Sequence, residues 1–360
     1  MRKIALSALV FSLLSLLLPA QYERILNDPD VIWAAKINMR FDLENYGPDS
    51  LRVSEAYLLK KRSENTDRPY PTEPSFGQKI FEAVRAGHWE AWSWEPGDSL
   101  RLLTRDEAVG RLAERDTVTT VDVETGLTRN VAVENDFNPE DVVALRAHQL
   151  LFFNQKTGEF DVYTWAIAPV VRKYIYYGLP PEDAEAKTWL WDFVPFWLKM
   201  PPYSPKKHRK KPSLDDPNIS LAYRMKTVRN SPELDSLPPM KDFRPPVMER
   251  LLDRAKGDAD FKIEDSDGEP LGWEARQSFF FEADTVVTFD PETYEEVLKI
   301  VNKDVHADAC PRLRLLQDWF WDDRAHRLVV RLHAFAPLRK RYDSDGNFRF
   351  EEPLFWRRKE

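Results

Sequence analysis

Leu145-Arg146-Ala147-His148-Gln149-Leu150-Leu151-Phe152, running on through Val162 to Ala166-Ile167-Ala168-Pro169, has a counterpart later in the chain. It is Leu313-Arg314-Leu315-Leu316-Gln317-Asp318-Trp319-Phe320, running through Val330 to Ala334-Phe335-Ala336-Pro337. Residue 145 becomes 313 and residue 169 becomes 337, a constant shift of 168. The same shift carries Asp116-Thr117-Val118 onto Asp284-Thr285-Val286, Thr120 onto Thr288, Asp122 onto Asp290, and Glu124-Thr125 onto Glu292-Thr293. A shift that holds from 116 to 169 marks an internal duplication. The expected fold class is α+β, as two tandem copies of a similar small α+β domain, each with helices and an antiparallel hairpin sheet.

The repeat predicts four parts: a signal peptide at 1–20, a first α+β copy with an N-terminal leading segment at 21–197, a Pro-rich basic linker at 198–243, and a second α+β copy at 244–360. Within the first copy a helix is expected over 77–86, closed by Gly87, then a Trp-rich strand across Trp89, Trp92 and Trp94. Thr104 and Glu107 have the spacing of a capping box. Asp116–Val121 reads as a strand, and Asn138-Pro139-Glu140-Asp141 as a helix start. Strands over 148–154 and 159–168 join through Gln155-Lys156-Thr157-Gly158 as a hairpin. The second copy repeats the plan with a helix over 245–256 closed by Gly257, a strand at 284–289, and a hairpin of 313–321 with 328–335. One divergence is expected. Asp290-Pro291 reads as the start of a helix through Tyr294, Val297, Leu298 and Val301, where the first copy has the turn Thr125-Gly126.

Composition bounds the function. The formal charge of −8 over 360 residues argues against a nucleic-acid partner. Arg2 and Lys3 precede the apolar run Ile4–Leu18, and Leu18-Pro19-Ala20 ends it with a small residue. This is the pattern of an export signal cleaved near Ala20. The single cysteine, Cys310, can form no internal disulfide and aligns with Val142, so a buried packing role is expected.

The chain has no phosphate-cradling glycine loop, no nucleophile elbow and no His pair at metal-ligand spacing. His326 and His333 are seven apart on one expected strand and so point to opposite faces. Asp265-Ser266-Asp267-Gly268 and Asp343-Ser344-Asp345-Gly346 place Gly fourth rather than sixth, which suits hairpin turns and not calcium loops. No catalytic residue, cofactor or metal is therefore expected. The surplus is aromatic. Trp189, Trp191, Phe196, Trp197, Phe355 and Trp356 are candidate interface residues, with core packing as the competing reading. Lys206, Lys207, Arg209, Lys210 and Lys211 are a candidate anion contact, set against a plain solvated linker. An exported glycan- or peptidoglycan-binding module, using Trp89, Trp92 and Trp94 or the closing aromatics, is the alternative function.

Several segments, taken in order, resemble a known family. They are Asp30-Val31-Ile32-Trp33 with Arg40 and Asp42-Leu43, Ile80-Phe81-Glu82 with Gly87, Leu103-Thr104 with Glu107, Asp116-Thr117-Val118, and Phe137-Asn138-Pro139-Glu140-Asp141. Asp318-Trp319-Phe320-Trp321-Asp322, Ala334-Phe335-Ala336-Pro337 and Leu354-Phe355-Trp356 follow. The set is similar to the GldN/PorN gliding-motility family of type IX secretion ring subunits. The resemblance implies a non-enzymatic periplasmic protein, peripheral to the outer membrane. It also implies self-association into a ring, an outer-membrane lipoprotein as ring partner, and cooperation with an inner-membrane motor complex.

Overall fold

A computed structural model describes residues 22–43, 54–61, 75–93, 101–121, 125–176, 187–204, 212–230, 247–343 and 345–359. It is mixed but strand-rich, and its sheets are antiparallel. The first sheet contains β1 (Val31–Asp42), β3 (Ala91–Ser93), β4 (Arg101–Leu102), β7 (Val142–Asn154), β8 (Glu159–Tyr176), β9 (Lys187–Phe193) and β10 (Trp197–Lys199). Its order is β1-β7-β8-β10-β3-β4, with β9 also pairing β8. The second sheet contains β2 (Ser54–Lys61), β11 (Ile219–Asn230), β14 (Arg312–Asp322), β15 (Arg327–Tyr342), β16 (Phe348–Pro353) and β17 (Arg357–Arg358). Its order is β16-β15-β14-β11-β2, with β17 on β15. Two further hairpins form two-stranded sheets: β5 (Ala113–Val121) with β6 (Thr128–Asp136), and β12 (Phe281–Phe289) with β13 (Glu296–Asp304). The helices are α1 (Glu23–Leu26), α2 (Phe76–Arg85), α3 (Arg105–Gly110), α4 (Val247–Gly257) and α5 (Trp273–Phe279). No helix among the described residues is long and apolar enough to cross a membrane. The stretch expected as an export signal and the basic run 206–211 lie outside the described residues.

The shift of 168 survives in three dimensions. The β7–β8 hairpin maps onto β14–β15, and β5–β6 maps bound for bound onto β12–β13: 113 to 281, 121 to 289, 128 to 296 and 136 to 304. The helix expected after Asp290-Pro291 is therefore not formed. Asp290 Oδ1 accepts from the N–H groups of Glu292 and Thr293, which closes a turn, and Val297-Leu298 then runs as strand β13 against β12. An Asp-Pro pair serves an Asx turn as readily as a helix start, and the pairing partner decided between them. Asn138-Pro139 likewise caps only a single 3-10 turn, Pro139–Asp141, before β7 begins.

The stretch expected as linker, 198–243, contributes Leu198 and Lys199 of β10 and the whole of β11. β11 pairs β14 as β1 pairs β7, and the bulge falls at the same place, between Ile219 and Leu221 as between Val31 and Trp33. Leu221, Met225 and Thr227 point inward and are buried, while Arg224 and Lys226 alternate with them. That is the period of a half-buried strand.

The copies are not separate beads. One apolar core runs between the sheets and includes Phe41, Leu145, Phe153 and Phe160 from one with Met225, Trp319, Trp321 and Phe335 from the other. Gln149 Nε2 donates to Gln317 Oε1 at 2.7 Å, and Gln317 Nε2 donates to Gln149 Oε1 at 3.0 Å. Equivalent residues of the two halves thus satisfy each other in the middle of the core, where an unpaired amide would be costly. Helices cross over as well. Helix α2 sits on the second sheet, with Lys79 Nζ 3.2 Å from Asp323 Oδ1 and Phe76 5.1 Å from Tyr223 by ring centroids. Helix α4 sits on the first hairpin, where Arg254 Nη1 donates to the carbonyls of Gln155 and Lys156.

Helix α2 also leans on the 3-10 turn. A Cβ at Gly77 would lie 2.2 Å from the Pro139 carbonyl oxygen and 2.7 Å from Val142 Cγ2. Alanine at an ordinary helix position stabilises by about 1 kcal/mol over glycine. Here Gly77→Ala is expected to destabilise by about 2–3 kcal/mol, because backbone must move. Urea unfolding of the variant reads the sign directly.

Candidate interaction surface

The six aromatic candidates separate on burial. Phe196, Trp197 and Phe355 are 1%, 8% and 0% exposed. They pack the chain's own interior, which removes them from the set of surface anchors. Trp197 closes over His148 and Ala168 on the outside of the first sheet, and Phe355 packs its ring against Phe280 at 5.8 Å. Trp356 is half-buried, and its backbone exchanges hydrogen bonds with Glu264. Trp191, another of the interface candidates, is 49% exposed with Lys173 Nζ 4.9 Å above its ring. The side chain of Trp189 lies outside the described residues, as do Lys206, Lys207, Arg209, Lys210 and Lys211. Of the tryptophans offered for a glycan platform, Trp92 is buried beside Trp197, Trp89 is packed on Trp321, and Trp94 lies outside the described residues.

Burial also settles the histidines. His326 lies in the β14–β15 turn with φ +47° and stacks on His88 at 4.1 Å, the two rings nearly parallel. His333 Nδ1 is 3.3 Å from Asp318 Oδ2. Cys310 is buried. Among the described residues no three His, Cys, Asp or Glu side chains gather as a metal-ligand set.

His148 stands between the rings of Trp165 (4.9 Å) and Trp197 (4.1 Å), with Nδ1 against Asn38 Oδ1. Burial, followed by the charges of Arg146 and Lys36, pushes it down to about 4 from 6.5. The folded protein therefore keeps this imidazole neutral while the unfolded chain takes up a proton. Its contribution is fully present above pH 6.5 and is lost as pH falls from 6.5 towards 4. The expected loss is about 2 kcal/mol, and His148→Gln flattens that part of the urea-midpoint profile.

What does face solvent is a different surface. On the β12–β13 arm, Val287, Phe289, Tyr294, Val297 and Leu298 are 50%, 63%, 81%, 45% and 69% exposed. In this ladder Val287 pairs Leu298 and Phe289 pairs Glu296. Val287, Phe289 and Leu298 therefore share one face of the ribbon, with Tyr294 at the turn. On the equivalent arm Val121 and Leu127 are 59% and 62% exposed. Phe289 occupies the position of Val121, one repeat on. A helix through Tyr294, Val297 and Leu298 would keep them apart from Val287 and Phe289 of the expected strand 284–289, so their common face rests on the β12–β13 pairing. The signal that could have found them was the bound-for-bound correspondence of the two arms.

No curated protein matches the chain. The family described as "Gliding motility associated protein GldN" matches residues 28–223 and 248–358, which takes in both sheets and both arms. A match over that much of the sequence, in two blocks that each contain a long hairpin and an arm, means that this chain belongs to the GldN gliding-motility family.

Proposed function

We propose that the chain is a non-enzymatic structural subunit of a gliding and type IX secretion machinery, exported to the periplasm after cleavage near Ala20. In this reading it lies against the outer membrane through a lipoprotein partner and forms a ring with it and with further copies of itself. An inner-membrane motor complex is its mechanical partner. The observation that carries the reading is the family match over residues 28–223 and 248–358.

The architecture supports it. Closed rings of one chain need heterologous contacts, in which one face of a subunit meets a different face of the next. Two related halves of unequal surface supply such faces on one molecule. We also read the chain as two intertwined copies, the second beginning at β11 rather than after it. The test is isolation of the membrane-bound complex followed by mass measurement of the intact particle. An ordered high-mass assembly containing an outer-membrane lipoprotein is expected. A chain that stays monomeric, with no envelope protein crosslinked to it, overturns the reading.

A further inference from the structure

The shift of 168 lines up the turns of the two halves, and two of them differ in the same way. Gly126 in the β5–β6 turn has φ +70°, and Gly158 in the β7–β8 turn has φ +69°. One repeat on, these positions are Tyr294, with φ +57°, and His326, with φ +47°. Among the described residues, these two are the only ones other than glycine with positive φ. Glycine takes that region at no steric cost, whereas a bulky residue there is an outlier. Neither ring is spent on the core. Tyr294 is 81% exposed at the tip of the β12–β13 arm, and His326 is exposed and stacked on His88. Strain kept at two displayed rings, where the sister half uses glycine, points to a use for them.

His326 stands beside an opening that the first half lacks. There, Arg254 of helix α4 fills the joint with the β7–β8 turn. A Cβ on Gly158 would lie 2.1 Å from Arg254 Cδ, and Arg254 Nη1 donates to the Gln155 and Lys156 carbonyls. Between helix α2 and the β14–β15 turn the corresponding joint is a cleft of about 350 Å³, lined by Ala83, Ala86, His88, Trp321, Asp323 and His326. Two small alanines leave room on the helix side, and Trp321 with the paired imidazoles supplies ring surface. The charged groups at the cleft are already engaged, Lys79 with Asp323 and Glu82 with Gln78 Nε2. Shape and ring surface, rather than net charge, therefore define what fits. A cavity of about 150 Å³ holds a benzene ring, so this one has room for a phenol side chain.

We propose that Tyr294 of one copy seats in the α2/β14–β15 cleft of a second copy. The proposal rests on the self-association reading above and names the anchor and the socket. An aromatic ring filling a pocket is the kind of contact that carries most of the energy of an interface. The ring packs on Ala83, Ala86 and Trp321, and its hydroxyl donates to Glu82, whose carboxylate accepts more bonds than the one from Gln78. Within one molecule Tyr294 is exposed and so does not occupy its own cleft. The first half offers neither part, since Gly126 has no ring and Arg254 fills its joint. Each copy thus carries one anchor and one socket in unlike places, which makes the contact heterologous and repeats it from copy to copy without branching.

The test follows the mass of the full chain in solution. Tyr294→Gly restores the residue of the first half, so the turn is kept and the urea midpoint should not fall. Self-association should weaken at least tenfold, while Tyr294→Phe should lose far less. Ala86→Phe, at an exposed position on the cleft wall, should weaken it as much by filling the socket. An equimolar mixture of Tyr294→Gly and Ala86→Phe chains should form dimers and stop there, because one keeps the socket and the other the anchor. If the unmodified chain assembles and both variants assemble equally well, the contact is wrong and self-association stands. If Tyr294→Gly weakens assembly and Ala86→Phe does not, the ring seats elsewhere and the proposal fails. It fails too if Tyr294→Gly loses only a different envelope protein while self-association is kept. If the unmodified chain stays monomeric alone and with outer-membrane vesicles, self-association itself fails and takes this contact with it.

Discussion

Replacing Trp319 with alanine is expected to lower the free energy of unfolding by about 3–5 kcal/mol. Trp319 is fully buried between the sheets, its ring 4.7 Å from Phe41 of the first sheet. Its Nε1 donates to Gln317 Oε1 at 3.3 Å, which ties it to the reciprocal amide pair. Truncation opens a cavity that twisted, hydrogen-bonded sheets on both sides close poorly. Because the core is continuous, both sheets should melt together. Far-ultraviolet dichroism and tryptophan fluorescence should then shift by the same amount in urea. A loss under about 1 kcal/mol, or two separate transitions, would show the halves to be independent bodies.

Arg224→Ala should cost a similar amount, about 3–5 kcal/mol, for an electrostatic reason. Asp318 is 2% exposed, with Oδ1 2.7 Å from Arg224 Nε and Oδ2 3.0 Å from Nη2. Burial by itself raises this carboxyl, but hydrogen bonds from His333 and Arg224 outweigh it and hold the group below its ordinary 3.8. A depressed carboxylate contributes stability that is present above its unfolded value and lost as pH falls through its folded value. The unmodified protein should therefore keep this contribution down to about pH 4. Without Arg224 the buried charge has lost its main partner, and acid unfolding should begin at higher pH. Arg224→Met with Asp318→Leu should recover most of the loss, since an apolar pair of similar volume replaces a desolvated ion pair. If the single variant unfolds at the same urea concentration and pH as the parent, solvent reaches Asp318 and the pair is a surface contact.

Much of the local structure was legible. The Thr104–Glu107 capping box closes as expected, with Thr104 Oγ1 accepting from the Glu107 N–H and Glu107 Oε2 accepting from the Thr104 N–H. Gly87 takes φ +76° just past helix α2, where a left-handed residue ends a helix. Both long hairpins appear where alternation and turn residues put them. These are features in which a residue acts on neighbours a few positions away.

The failures share a cause. Leu221-Ala222-Tyr223-Arg224-Met225-Lys226 sits among prolines and beside a lysine run, so its alternation read as linker. The edges offered by β14 on one side and β2 on the other make it a strand. Phe196, Trp197 and Phe355 have the composition of anchors, yet whether an aromatic ring meets solvent depends on which strand lies over it. Trp191, from the same candidate set, is exposed because no strand lies over it among the described residues. The exposed apolar face of the β12–β13 arm was the least legible part, because it needs both the pairing of β12 with β13 and the solvent exposure of their tip.

By itself the sequence determined that two stretches recur at one spacing, which segments form hairpins and caps, and which family the chain belongs to, because constant spacing and local hydrogen bonding are properties of neighbours along the chain. Only the tertiary structure decided that the two halves share one core and that each carries a helix packed on the other. Contacts such as Gln149 with Gln317, or Arg254 with the Gln155 carbonyl, join residues far apart in sequence, and their stability comes from burial that no local pattern encodes.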